Sequence, residues 1–119
     1  MKKIIFALIL ILIVSCQITL AQWVLVSNNV GAQCFYTYDN KLFAGTTTQG
    51  VLVSTDNGLT WTASNNGLTY PNVLTFASIG TNLFAGVYSG LVFRSTNSGS
   101  SWTPVNSGLL NLSGQCLLV

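Results

Sequence analysis

An internal repeat with a period of 41 residues limits the possible folds of this chain more than any other feature of its sequence. The repeated segments are LFAG at 42–45 and 83–86, ST at 54–55 and 95–96, and WT at 61–62 and 102–103. Because several landmarks share one spacing, the chain must build the same structural unit twice.

Each repeat contains four short apolar segments separated by turns rich in Asn, Gly and Asp. No run with a helical period follows Ala21, so we expect an all-β fold. A period near 40 residues made of short strands is typical of a β-propeller with one four-stranded antiparallel blade per repeat. The predicted repeats cover about 31–71 and 72–112. The predicted strands are 33–38, 41–46, 50–55 and 60–63, then 73–79, 82–88, 91–96 and 101–105.

Partial units are predicted at both ends of the repeat region. Residues 23–26, WVLV, look like the fourth strand of a blade, and residues 113–119 begin a third repeat because Cys116 matches Cys34. We therefore expect residues 22–119 to be the N-terminal part of a longer propeller, with about two complete blades.

The first 21 residues are predicted to be a signal peptide. A positive start, Met1-Lys2-Lys3, precedes 11 apolar residues at 4–14, which is too short a run to span a bilayer as a helix. We favour cleavage after Ala21. The alternative is the segment ending at Cys16, which resembles a bacterial lipobox and would anchor a lipoprotein. Either way the protein is expected to be exported, secreted or held in the periplasm or at the cell surface.

Few charges remain once the leader is removed. Lys41 and Arg94 balance Asp39 and Asp56, so the mature chain is neutral. Binding to nucleic acid or anionic lipid depends on clustered Lys and Arg. We therefore expect no nucleic-acid partner, and contact with a membrane only if Cys16 is lipidated.

An eight-residue motif occurs once in each repeat, STDNGLTW at 54–61 and STNSGSSW at 95–102. The motif resembles the Asp-box, or BNR repeat, of sialidase-like and sortilin-like propellers, whose pattern is S-x-D-x-G-x-T-W. In that family the box lies at the blade periphery, away from any active site. The matching positions are Ser54, Asp56, Gly58, Thr60 and Trp61, then Ser95, Asn97, Gly99, Ser101 and Trp102.

A structural role is the favoured interpretation of both boxes. The carboxylate or amide can accept backbone hydrogen bonds in a tight turn, and the glycine supplies a positive φ. Asn97 replaces Asp56 in the second copy and cannot act as a general acid or base. We expect a turn in each box, with the tryptophan ring buried between sheets.

Catalytic and metal sites are not predicted in this chain. Glycosidases use two carboxylates or a tyrosine nucleophile with an acid, whereas Asp39 is expected in the first hairpin turn and Asp56 in a box. The chain has no His, and metal sites need clustered ligands. No cofactor is expected. Cys34 and Cys116 lie two repeats apart and are predicted to be unbridged thiols.

The aromatic residues divide into two predicted groups. Tyr70 and Tyr88 fall in loops that share one face of a propeller, opposite the boxes, so they mark a possible ligand face. The others are predicted to form the blade core: Phe43, Phe84, Phe93, Trp61 and Trp102.

Two functions are compatible with these features. The first is a non-catalytic exported scaffold that binds an unidentified protein or glycan. The alternative is the N-terminal part of a glycoside hydrolase, sialidase-like or endoglucanase-like, whose catalytic residues lie beyond Val119.

Overall fold

A computed structural model describes residues 31–108 of the 119-residue chain. These residues form two four-stranded antiparallel sheets without a helix, each sheet in the simple order of its strands along the chain. The predicted all-β, four-stranded architecture is therefore confirmed. Sheet 1 contains β1 (Ala32–Tyr38), β2 (Lys41–Thr46), β3 (Val51–Ser54) and β4 (Thr62–Ala63). Sheet 2 contains β5 (Val73–Ile79), β6 (Asn82–Val87), β7 (Val92–Ser95) and β8 (Thr103–Pro104).

The first turn of sheet 1 illustrates how local sequence sets the hairpins. Tyr38 pairs with Lys41, and the two residues between them, Asp39 and Asn40, have φ angles of 51° and 56°. Two consecutive left-handed residues define the hairpin turn that matches strand twist, and Asp and Asn adopt this conformation at low cost. The predicted hairpin turn at Asp39 is confirmed.

The strands next to the boxes are shorter than predicted. The third strands end at Ser54 and Ser95, and the fourth strands are the two-residue elements β4 and β8. The reason is that the side chains of each box bond to the box backbone, which takes these residues out of the strand ladder. Both tryptophans consequently lie before the fourth strand rather than within it.

The two sheets pack face to face through β5, which contacts β1 and β2. Tyr36, Phe43 and Val53 are cross-strand neighbours in sheet 1 and share the face that meets sheet 2. The Phe43 ring lies 6.1 Å from the Phe76 ring, and the Tyr36 hydroxyl bonds to that of Ser78 at 2.9 Å. One apolar core therefore joins the two repeats.

The predicted aromatic core is only partly correct. Phe43, Phe93 and Trp102 are buried, whereas Phe84 and Trp61 are half-buried. The physical reason is position: the first three side chains lie in or beside the contact between the sheets, whereas Trp61 and Phe84 lie on the faces turned away from it. The expectation that both tryptophan rings are buried between sheets is wrong for Trp61.

Some predictions concern residues outside the described range. These are the signal peptide, the strand at 23–26, the third repeat at 113–119, Cys16 and Cys116. Within residues 31–108 neither sheet closes on itself, and Cys34 is a free thiol whose pKa is raised by burial.

Candidate functional site: the two boxes and the loop face

Box 1, residues 54–61, is organised by the hydroxyl of Ser54. The hydroxyl accepts the N–H of Gly58 at 2.8 Å and donates to Oδ1 of Asp56 at 2.7 Å. Ser54 is 2% exposed, so these bonds satisfy a buried polar group. The sequence predicts the turn from the aspartate and the glycine and gives this serine no role, although a serine opens both copies of the motif.

The Asp56 carboxylate holds the C-terminal part of the turn through Thr60. Its Oδ1 accepts the backbone N–H of Thr60 at 2.8 Å, and its Oδ2 accepts the Thr60 hydroxyl. The bonds from Thr60, followed by the bond from Ser54, lower the pKa of Asp56 from its usual 3.8 to about 2. The carboxylate is therefore an ionised acceptor at neutral pH, which is the opposite of what a general acid requires.

Two left-handed residues let the chain turn back inside each box. In box 1 these are Asn57 and Gly58, with φ angles of 59° and 88°. In box 2, residues 95–102, Ser98 and Gly99 have φ angles of 53° and 84°. The sequence analysis expected this conformation only at the glycines, because no single residue preference marks Ser98 as left-handed.

Box 2 repeats these bonds with an amide. Oδ1 of Asn97 accepts the Ser95 hydroxyl and the N–H of Ser101, both at 2.9 Å, and Nδ2 donates to the Ser101 hydroxyl at 2.8 Å. The Ser95 hydroxyl accepts the N–H of Gly99 at 2.8 Å. The turn is thus the same whether its central side chain is a carboxylate or an amide.

Box 2 differs from box 1 in being docked against sheet 1. A Cβ atom on Gly99 would lie 2.5 Å from Cε1 of Phe43, so the phenyl ring occupies the space above the glycine. Lys41 donates to the Ser98 carbonyl at 3.4 Å, and the Ser64 hydroxyl donates to the Gly99 carbonyl. The box is therefore a contact between the repeats as well as a turn.

Trp102 extends the same contact. Its indole N–H donates to the Ser64 carbonyl and its backbone N–H to the Asn66 carbonyl, both at 2.8 Å. In box 1 the indole N–H of Trp61 instead donates to the Gly58 carbonyl of its own turn at 3.1 Å. The two tryptophans thus share a motif position but have different partners.

A second set of loops, residues 47–50, 64–72 and 88–91, carries Tyr70 and Tyr88 of the predicted ligand face and is called the loop face here. Backbone bonds hold these loops together: Gly50 donates to the Pro71 carbonyl and Tyr88 to the Asn72 carbonyl, both at 2.9 Å. Tyr88 is 70% exposed and Tyr70 is 43% exposed, with its ring 6.5 Å from Phe93. The structure joins the loops that carry the two tyrosines, but it gives no contact between the two rings.

Two asparagines for which the sequence predicted no role hold the first residues of the third strands, β3 and β7. Oδ1 of Asn65 accepts the Val51 N–H at 2.8 Å, and Oδ1 of Asn106 accepts the Val92 N–H at 2.6 Å. They lie one repeat apart, and that recurrence in the sequence could have identified them.

Among residues 31–108, no group of three or more His, Cys, Asp or Glu side chains is placed to hold a metal ion. The same residues contain no helix long and apolar enough to cross a membrane. Comparison with protein-family models, curated proteins and solved structures finds no match.

Proposed function

We propose that this chain is a two-blade segment of an exported β-propeller that acts as a non-catalytic scaffold and binds a protein or glycan through its loop face. The observation that carries the proposal is the use of both boxes as internal structure. Every polar group of Asp56 that could serve chemistry is bonded to Ser54 or Thr60, and an asparagine replaces this residue in box 2.

The propeller arrangement is supported by the way the two sheets stack. Sheet 2 repeats the strand order and register of sheet 1, including the irregularity between Ala32 and Cys34, which recurs between Val73 and Thr75. Face-to-face stacking of like four-stranded sheets is the relation between successive propeller blades. The Asp-box resemblance favours the same arrangement.

The loop face is supported as the binding surface by its side chains. Tyr88 and Tyr70 present exposed aromatic rings with polar tips, which suit both protein and sugar ligands. The backbone beneath them is fixed by bonds between loops, which lowers the entropy lost on binding.

The proposal is tested by binding and turnover measured on the same protein. The chain is screened against a glycan array and, by cross-linking, against extracellular proteins, while sialoside and β-glucan hydrolysis is assayed. We expect binding that Tyr88→Ala or Tyr70→Ala weakens about tenfold, the usual effect of truncating a central interface aromatic. Asp56→Asn is the matched control and should leave binding unchanged.

Hydrolysis that disappears in the Asp56→Asn variant would contradict the non-catalytic role. Binding that neither tyrosine variant affects would contradict the choice of face.

A further inference from the structure

The repeat leaves two outer faces whose residues correspond to the two halves of the internal interface. Inside the molecule, Phe76 and Trp102 of sheet 2 form an aromatic pair with ring centres 6.5 Å apart, and sheet 1 covers both. One repeat earlier, Phe35 and Trp61 form the same pair at 6.0 Å on the outer face of sheet 1. Phe35 is 62% exposed, whereas Phe76 is 6% exposed.

The outer face of sheet 2 carries the opposite half. Ala77, Phe84 and Arg94 are cross-strand neighbours that correspond, one repeat on, to the Tyr36, Phe43 and Val53 face of sheet 1. Phe84 stands where Phe43 stands, and Ile79, which replaces Tyr38, is 56% exposed. This face thus offers a half-buried phenyl ring at the place where sheet 1 inserts Phe43 above Gly99.

The position that would receive this ring lies on the other outer face. Gly58 corresponds to Gly99, and a Cβ there would meet Leu42 at 3.5 Å and the ring of its own Trp61 at 3.6 Å, compared with 2.5 Å to Phe43 at Gly99. Gly58 is thus covered by side chains of its own sheet and not by a phenyl ring of another, and the Trp61 ring must shift when Phe84 docks. The indole N–H of Trp61, bonded to its own turn, corresponds to the N–H that Trp102 donates across the interface. Among residues 31–108, neither half has a facing sheet of the kind that the internal interface supplies.

We propose that a second copy of this chain docks the outer face of its sheet 2 on the outer face of sheet 1, placing Phe84 above Gly58 as Phe43 lies above Gly99. The proposal rests on the blade arrangement proposed above, and it assigns to a second copy the place that an adjacent blade takes in a propeller. The contact is head to tail, because different faces of the two copies meet, and such contacts close into rings or extend into filaments.

Arg94 makes the contact between copies weaker than its internal template. The arginine is exposed and occupies the position of Val53, a partly buried residue of the core. A charge on this sheet face opposes association because it loses water on docking. The association is therefore expected to be reversible, and Arg94→Val should strengthen it.

The first test measures the mass of the purified full chain by sedimentation and light scattering over a range of concentrations. We expect a reversible increase above the monomer mass. Phe35→Glu and Phe84→Glu, each blocking one face at a position away from the internal contact, should both be monomeric, with dissociation constants raised at least tenfold. Circular dichroism and thermal melting check that both variants remain folded.

The decisive measurement mixes the two blocked variants. Each keeps the face that the other lacks, so an equimolar mixture should form a one-to-one dimer that neither forms alone. Arg94→Val should tighten association of the otherwise unchanged chain about tenfold and have no effect in the Phe35→Glu background.

A monomeric wild-type chain, self-association of Phe35→Glu alone, or a mixture that stays monomeric while the wild type associates would each overturn the proposal. A monomer that still binds a ligand through Tyr70 and Tyr88 would leave the scaffold function standing. Association of the chain with no ligand bound through Tyr70 and Tyr88 would support the contact between copies and contradict the scaffold function.

Discussion

Box 1 and box 2 are one motif in two environments. Their internal bonds match closely: the opening serine accepts the glycine N–H at 2.8 Å in both. Their surroundings do not match, because sheet 1 covers box 2 while the corresponding side of box 1 carries the exposed Phe35. The motif's own residues therefore determine the turn conformation, whereas packing against the neighbouring sheet determines how much the motif contributes to stability.

The tryptophans should show the largest difference between the boxes. Trp102 is 2% exposed and bonds across the interface, so Trp102→Ala leaves a large cavity and should lower the free energy of unfolding by about 3–5 kcal/mol. Trp61→Ala removes a half-buried ring and should cost about 1–2 kcal/mol. Urea denaturation followed by circular dichroism measures both. Equal losses would show that the outer face of sheet 1 is covered in solution.

The box glycines should differ next. Gly99→Ala forces a Cβ to within 2.5 Å of Phe43, a fully buried ring, and also strains a φ of 84°. We expect it to lower the free energy of unfolding by about 2–4 kcal/mol. Gly58→Ala meets no atom closer than 3.5 Å and should show only the backbone strain, about 1–2 kcal/mol. Thermal melts of the two variants side by side test the difference, and a smaller loss for Gly99→Ala would contradict the position of Phe43.

Substitution of the opening serine should destabilise the protein to a similar extent in the two boxes, unlike substitution of the tryptophans or the glycines. Ser54→Ala and Ser95→Ala each leave a buried glycine N–H without its acceptor, so each should lower the free energy of unfolding by about 1–3 kcal/mol. Both hydroxyls are buried and accept the same glycine N–H, so the two losses should be similar. The loss for Ser54→Ala should be the larger of the two, because the Ser54 hydroxyl also donates to the ionised Asp56 carboxylate whereas the Ser95 hydroxyl donates to the Asn97 amide. Chemical denaturation of the two variants is the measurement. A clearly larger loss for Ser95→Ala would show that the covering sheet also affects the turn itself.

The fold could be predicted from the sequence wherever the controlling interaction is local. The hairpin at Asp39 follows from two residues that tolerate positive φ, and the strand pattern follows from the 41-residue repeat. The half-burial of Trp61 could not be predicted, since Trp61 and Trp102 share one motif and differ only in what lies opposite. The repeat marks Asn65 and Asn106 as recurring residues, but their partners, the N–H groups of Val51 and Val92, depend on which segments meet in the folded chain.

The smallest expected effect is a change of stability at acid pH, and it follows from the carboxylate that box 1 carries where box 2 has an amide. Asp56 has its pKa lowered to about 2 in the folded protein, so its contribution to stability is fully present above its usual value of 3.8 and is lost as the pH falls toward 2. Asn97 does not titrate and gives box 2 no such dependence. Unfolding by urea at several pH values between 2 and 5 should therefore show the free energies of unfolding of wild type and Asp56→Asn converging as the pH falls.

The reciprocal variant Asn97→Asp is the matched control, because it should introduce in box 2 the acid sensitivity that Asp56→Asn removes from box 1. A constant difference between wild type and Asp56→Asn across this range would show that the carboxylate holds the turn no more tightly when ionised than when protonated. The bonds from Thr60 would then not account for the lowered pKa.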